Sequence, residues 1–272
     1  MARVLLTNDD GISSPGLLAT RQALADAGLQ VLVVAPDGNR SAMGHRINIR
    51  SELTLRLERS DEVGEMWSCS GTPADCVRMA YFTADLPEFD AVVSGMNLGP
   101  NLGEDVFYSG TVAAAIEGAL LGKPAIAASQ ASGHLPESFL AQAPTEFPHA
   151  RFVADLAKRV LAASASLDGV ILNVNLPSTL ERGVDAAYAR LGRRDWTTTG
   201  NTTSRDGDTI TVSRPWIAEP TALVEEGTDF HVVLSDRISV TPLRVRSGLE
   251  DLSASWREHA PLSITLESVD LV

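Results

Sequence analysis

Five short, largely apolar strand-like segments, at residues 4–6, 31–35, 91–94, 125–128 and 170–176, the last carrying Asn173 and Asn175, alternate along this chain with segments carrying helix start and stop signals. Runs this short, apolar without alternation, suit parallel strands covered on both faces. Ser14 is placed to cap a helix with Pro15 in its first turn, and Gly28 stops it. Thr72-Pro73-Ala74-Asp75 opens another, with Asp75 spaced to answer the cap. Ser109-Gly110-Thr111 opens a third, in which Val112, Ile116 and Leu120 share a face before Gly122 and Pro124 end it. A fourth is expected over 152–161. The repeated strand, loop and helix predict an α/β fold with a doubly wound, Rossmann-like, mostly parallel sheet. Alternating residues at 53–58 and a return at 66–70 predict a hairpin that interrupts the parallel order.

Beyond Pro177 the pattern loosens into turn-rich sequence with β-like pieces at 209–212 and 238–243. We expect a core over 1–180 and a β-rich arm or small subdomain over 181–272, packed on the core and used in oligomerisation. Trp196, Trp216 and Trp256 in that region call for burial. A net charge of -13 repels a phosphate backbone and argues against duplex nucleic acid or an anionic membrane as partner. The two cysteines, Cys69 and Cys76, fit neither a Cys-x-x-Cys pair nor a zinc ribbon and are read as reduced, buried thiols. With no basic-then-apolar leader and no membrane-length apolar run, a cytoplasmic location is expected.

The first strand empties into Asn8-Asp9-Asp10-Gly11. In a sheet of this kind the loops beyond the carboxyl ends of the strands form the ligand crevice. Two adjacent carboxylates there repel one another until a shared proton or a cation relieves them. Ser41 after the second strand and Asn97 after the third add oxygen to the same edge. Carboxylate, hydroxyl and amide oxygen are hard donors that suit Mg²⁺, Mn²⁺ or Ca²⁺ better than zinc. The helix opening at Ser109, with Gly110 and Thr111, offers free N–H groups and a positive dipole end to an anion. A cation on one side and this helix end on the other would hold a phosphate between them. Taken singly, Asp9-Asp10-Gly11 also reads as an acidic turn and Ser109-Gly110-Thr111 as a plain cap. His45 is the histidine nearest this edge, an acid/base candidate or a surface loop residue. The first strand-helix turn lacks a Gly-x-Gly-x-x-Gly, and neither a P-loop nor a Gly-x-Ser-x-Gly elbow occurs. The glycines at 95, 99 and 103 read as a loop after the third strand.

The ordered motifs Thr7-Asn8-Asp9-Asp10-Gly11, Val34-Ala35-Pro36 with Ser41, Gly71-Thr72-Pro73-Ala74-Asp75-Cys76-Val77, Ser94-Gly95-Met96-Asn97-Leu98-Gly99-Pro100-Asn101 and Ser109-Gly110-Thr111-Val112 with Glu117-Gly118 resemble those of the stationary-phase survival protein SurE family. The likeness returns at Asn173-Val174-Asn175 and at Ser239-Val240-Thr241-Pro242-Leu243. It departs at Ser235-Asp236-Arg237, where such chains commonly carry a Gly-aromatic pair. The resemblance implies a metal-dependent phosphatase of nucleoside 5′-monophosphates, often also of 3′-monophosphates and sometimes of polyphosphate. It implies one divalent cation per subunit, Mg²⁺ or Mn²⁺, with Ca²⁺ as a crystal substitute. Carried over, the metal ligands are Asp9, Asp10, Ser41 and Asn97, with Asp9 and Asp10 catalytic. Phosphate contacts fall on Ser109, Gly110, Thr111 and Asn97, with Asn8 in support. It further implies a homodimer or homotetramer built through C-terminal arms. A nucleotide or metal sensor without turnover, and a phosphatase of a non-nucleotide ester, fit the same residues.

Overall fold

The computed structural model describes residues 1–131, 147, 149–163, 168–178, 184–195, 202–213 and 221–245. Strand β1 (Arg3–Thr7) lies in the interior of a nine-stranded sheet. On one side follow β2 (Gln30–Pro36), β4 (Gly64–Cys69) and the edge strand β3 (Leu55–Asp61). On the other follow β5 (Ala91–Leu98), β6 (Ala125–Gln130), β7 (Val170–Leu176), β13 (Ile238–Arg244) and β8 (Ala186–Tyr188). From β4 through β7 every pairing is parallel. Antiparallel pairing enters at β3 with β4 and at β13 with β7. The hairpin expected to break the parallel order is therefore β3 and β4, and the doubly wound sheet is as predicted. Because β1 is flanked by β2 and β5, the strand order reverses there, which opens a crevice at the carboxyl ends of these strands.

The period-two geometry of strands divides the apolar side chains between two layers. Val4 and Leu6 of β1, Val31 and Val33 of β2, and Leu172 and Val174 of β7 face helices α1 (Pro15–Asp26) and α4 (Ala150–Ala162). Leu5, Leu32, Val34 and Ile171 face the opposite layer, helices α2 (Pro73–Phe82) and α3 (Gly110–Leu120). Runs that are apolar at every position are what burial on both faces requires. The edge strand β3 is mostly exposed and carries Arg56, Glu58 and Arg59, charges that discourage further strand pairing there.

The helix starts follow their sequence signals. Ser14 Oγ accepts the Leu17 N–H, Ser109 Oγ the Val112 N–H, and Thr72 forms a reciprocal capping box with Asp75. Strand β5 departs from expectation. The sequence suggests a loop from Gly95, yet the strand continues to Leu98, with Asn97 beside Ser129 and Leu98 beside Gln130 after a register shift. Gly95, at φ 130°, makes this continuation possible: a Cβ there would stand 2.2 Å from the Ala128 carbonyl oxygen. Asn97 consequently sits on a strand end fixed by the sheet.

Beyond residue 180, β8 and β13 join the main sheet, while β9 (Arg193–Asp195) pairs with β12 (Thr221–Leu223) and β10 (Thr202–Asp206) with β11 (Thr209–Ser213). The β-like pieces at 209–212 and 238–243 are thus strands β11 and β13. The short helix α5 (Asp229–Leu234), capped by Thr228, carries little sequence signal. Trp196, Trp216 and Trp256 lie outside the described residues. Among the described residues no helix is long and apolar enough to cross a membrane. Cys69 and Cys76 are buried free thiols, as expected.

Candidate active site

The acidic loop is locked from beneath by Asn8. Its Nδ2 donates to the Gly11 carbonyl at 3.1 Å and to Ser14 Oγ at 2.9 Å, and its Oδ1 accepts the Gly11 N–H. A fully buried amide thus ties the turn to the cap of α1 and fixes how Asp9 and Asp10 leave the sheet. Gly11, at φ 105°, faces the Gly38 backbone so closely that a Cβ would meet it at 3.1 Å.

Three further segments are bonded directly to this loop. The Arg40 N–H donates to the Asp9 carbonyl at 2.7 Å, which brings in the loop bearing Ser41. The Leu98 N–H donates to Asp10 Oδ2 at 3.0 Å, one residue beyond Asn97. Thr111 Oγ1 donates to Asp9 Oδ1 at 2.5 Å, and the Gly110 and Thr111 amides also reach the Asp9 carboxylate. These bonds set the segments that carry Ser41, Asn97 and Ser109 directly beside the acidic loop. The structure also shows that the first amides of α3 already serve Asp9. Ser109 Oγ accepts from Val112, which leaves its hydroxyl proton for an incoming ligand.

The side-chain orientations suit oxygen donation. Asn97 Nδ2 donates to the Gly99 carbonyl at 2.8 Å, which fixes the amide and leaves Oδ1 as its donor atom. Asn39 Oδ1 accepts the Ser41 N–H at 2.9 Å, and the Ser41 side chain is exposed. Behind Asn97, the Asn101 loop is held by a buried amide network. Asn173 and Asn175 both donate to the Asn101 carbonyl, Asn175 Oδ1 accepts the Asn101 N–H at 2.7 Å, and Asn101 Nδ2 donates to Ser129 Oγ.

Burial pushes the Asp9 carboxyl up from its usual range, against the bonds from Thr111 and Gly110. Burial, and then the charge of Asp9 beside it, raise Asp10 to about 6. No salt bridge among the described residues brings an Arg or Lys to either carboxylate. Two neighbouring, partly desolvated carboxylates without a basic partner form a site of uncompensated negative charge, and a hard divalent cation is the partner that this donor set fits. Among the described residues no group of three or more His, Cys, Asp or Glu occurs that could hold a metal ion, so a cation here would need the hydroxyl and amide oxygens of Ser41 and Asn97 beside the two carboxylates.

Two features escape a reading of the sequence. Glu117 lies two turns into α3 and is buried, with Oε1 accepting from Arg78 at 2.8 Å and Oε2 bonded to His45 Nε2 at 2.9 Å. His45 is accordingly tethered, though still partly exposed. Asp75, beyond capping α2, accepts from the Asn48 N–H and side chain and so anchors the far end of the Ser41 loop. The sequence marks Asp75 as the partner of the Thr72 cap and both residues as members of the family-like motifs, but nothing local gives their bonds to Asn48, Arg78 and His45. A cavity of about 550 Å³ lies elsewhere, between Phe152, Leu156 and Val160 of α4 and Tyr188, Val240 and Pro242, and none of the acidic-loop residues lines it.

The chain is similar to proteins of one family over most of its length. The family described as "Survival protein SurE" matches residues 4–198. A protein of Rubrobacter xylanophilus named 5′-nucleotidase SurE is 42% identical over 265 residues, covering 93% of this chain and 97% of its own length. One of Geobacter sulfurreducens, with the same name, is 40% identical over 277 residues, covering 98% of this chain and 94% of its own. The crystal structure of the SurE protein from Aquifex aeolicus superposes with a TM-score of 0.73 at 35% identity, covering 94% of this chain and 99% of that one. A fold, a set of site loops and an identity that extend over nearly the whole length leave one assignment: the chain belongs to the SurE family.

Proposed function

We propose that this protein is a metal-dependent hydrolase of phosphate monoesters, a 5′-nucleotidase that converts nucleoside 5′-monophosphates to nucleoside and phosphate. The observation that carries the reading is the pair Asp9 and Asp10, partly desolvated, without a basic partner among the described residues, and bonded to the Ser41 loop, the end of β5 and the start of α3. The relatives' shared name supports the substrate class. The same donors hold no feature that selects a 5′ over a 3′ ester, so the proposal extends to 3′-monophosphates and to short polyphosphate. Homo-oligomerisation through the segment beyond residue 180, and a cytoplasmic location alongside the nucleotide pool, belong to the same reading.

In this reading Asp9, Asp10, Ser41 and Asn97 hold one divalent cation, Mg²⁺ or Mn²⁺. When bound, the cation supplies Lewis-acid polarisation of the phosphoryl group and a template for the attacking water. The chain does the positioning. Asn8 holds the acidic turn, Thr111 and the α3 amides orient Asp9, and the Leu98 N–H orients Asp10. The Ser109 hydroxyl donates to a phosphate oxygen at the positive end of α3, where charge accumulates as the ester bond breaks. Asn97 is fixed by Gly99 and adds its oxygen from the β5 end. Tyr108, half exposed and directly before Ser109, is the aromatic side chain we assign to contact the base or sugar.

A panel of nucleoside 5′- and 3′-monophosphates, sugar phosphates and short polyphosphate, assayed with Mg²⁺, Mn²⁺ and EDTA, tests the proposal. Phosphate release from 5′-nucleotides, abolished by EDTA and restored by Mn²⁺, is expected. Tight nucleotide binding with no release would make the protein a sensor, and release from sugar phosphates alone would remove the nucleotide from the reading.

A further inference from the structure

We infer that His45 is a positioning residue for the active site: clamped to the buried Glu117, it fixes the Ser41 loop against helix α3. The inference rests on the proposed role of Ser41 in holding the cation. Glu117 and Gly110 lie on the same helix, two turns apart, and Gly110 abuts Asp9. His45 lies four residues after Ser41. The bond between His45 Nε2 and Glu117 Oε2, at 2.9 Å, therefore joins the loop supplying one proposed ligand to the helix that orients another.

Three observations give the clamp its purpose. The Glu117 side chain is only 5% exposed, and both its oxygens are engaged, Oε1 by Arg78 and Oε2 by His45. His45 and Arg78 are themselves partly exposed, at 33% and 42%, so these bonds add little net stability and their value here lies in the geometry they specify. Although burial raises the Glu117 carboxyl, the bonds from His45 and Arg78 prevail and leave it below its usual range, so that it is a firm acceptor at neutral pH. An ionised carboxylate only accepts, which assigns the proton to His45 Nε2.

The loop itself needs holding. Ser41, Ala42 and Met43 are exposed, and both Ala42, at φ 57°, and Gly44, at φ 56°, are in the left-handed region. A non-glycine residue persists there when its surroundings over-determine it. Upstream the Arg40 N–H is tied to the Asp9 carbonyl, and downstream the Gly44 N–H is tied to the Tyr108 carbonyl. Farther on, the Arg46 carbonyl accepts from Thr72 Oγ1, and Asn48 is held by Asp75. The ties at Arg40, Gly44 and Arg46 engage backbone atoms of the loop, whereas Asn48 and His45 add side-chain anchors to buried carboxylates, and of these two His45 is the nearer to Ser41 in the chain.

The test compares the metal-free full-length wild type with His45→Ala and His45→Gln. Mn²⁺ affinity is measured by calorimetry, alongside kcat and KM for AMP and the melting temperature. Loss of a residue that supports a ligand set costs about 10–100-fold in metal affinity or activity. His45→Ala is expected to bind Mn²⁺ at least tenfold more weakly and to lose kcat by a similar factor, with KM at saturating Mn²⁺ within about twofold. The Gln amide N–H reaches the position of Nε2 and is expected to restore Mn²⁺ affinity and kcat to within about threefold of wild type. Wild-type affinity and turnover in His45→Ala would overturn the inference. So would a His45→Gln protein with normal Mn²⁺ affinity and a kcat as low as that of His45→Ala, because the imidazole would then act through its proton chemistry. A wild type without Mn²⁺-dependent phosphate release would instead refute the proposed function, and the two failures are distinct.

Discussion

Asp9→Asn is expected to lower Mn²⁺-dependent AMP hydrolysis on the order of 10³-fold while leaving the protein folded. Asp9 is 4% exposed and accepts from Thr111 Oγ1 at 2.5 Å. An Asn carbonyl oxygen can take that bond, so the packing around the position is preserved. What disappears is one of two negative charges whose burial is uncompensated by any basic side chain among the described residues. Removing it also removes a desolvation cost, so the metal-free variant is expected to melt no lower than the wild type. The contrast appears on adding Mn²⁺. A ligand bound only by the native state raises the melting temperature by mass action, and this rise is expected in the wild type and lost in Asp9→Asn. Full turnover in the variant, or an undiminished Mn²⁺-induced rise, would show that Asp9 does not hold the cation.

Gly110→Ala is expected to cost activity about 10²-fold and stability about 1–3 kcal/mol, although alanine is ordinarily the better helix residue by about 1 kcal/mol. Overpacking decides the sign. A Cβ at Gly110 would stand 2.8 Å from Asp9 Cβ, 3.0 Å from Asp9 Oδ2 and 3.1 Å from Pro73 Cγ. Asp9 cannot swing away cheaply, because its backbone carbonyl is bonded to the Arg40 N–H and its side chain to Thr111. The helix start or the acidic loop must shift instead, and either movement displaces the carboxylate from its partners. Denaturant unfolding together with kcat for AMP measures both effects. A variant as stable and as active as the wild type would mean that the close approach of α3 to the acidic loop does not set the position of Asp9.

Much of this was legible in the sequence because local chemistry and global architecture agree. Val4, Leu5 and Leu6 read as a strand buried on both faces, and alternate members do face the two helical layers. Ser14, Thr72 and Ser109 read as caps, and each accepts the expected backbone N–H. The acidic turn and its partner loops were legible because parallel strands deliver their carboxyl-end loops to one edge. What was not legible depends on contacts distant in sequence. Continuation of β5 past Gly95 requires the Ala128 carbonyl to lie where no Cβ fits, and a glycine-rich stretch resembles a loop until that neighbour is known. Glu117 has no local signature, since its partners Arg78 and His45 come from other elements. Asn173 and Asn175 gain their meaning only when the sheet brings them to the Asn101 backbone. The joining of β8 and β13 to the main sheet likewise rests on long-range pairing, which no short window of residues encodes.

The most direct test of the central claim, that four residues from three strand ends cage a single hard cation, is an anomalous difference map from crystals soaked in Mn²⁺. The account predicts one strong peak per subunit within direct coordination distance of oxygens from Asp9, Asp10, Ser41 and Asn97, with Ser109 facing it across the crevice. A map with no peak at the acidic loop, or with the ion held by other residues, would contradict it.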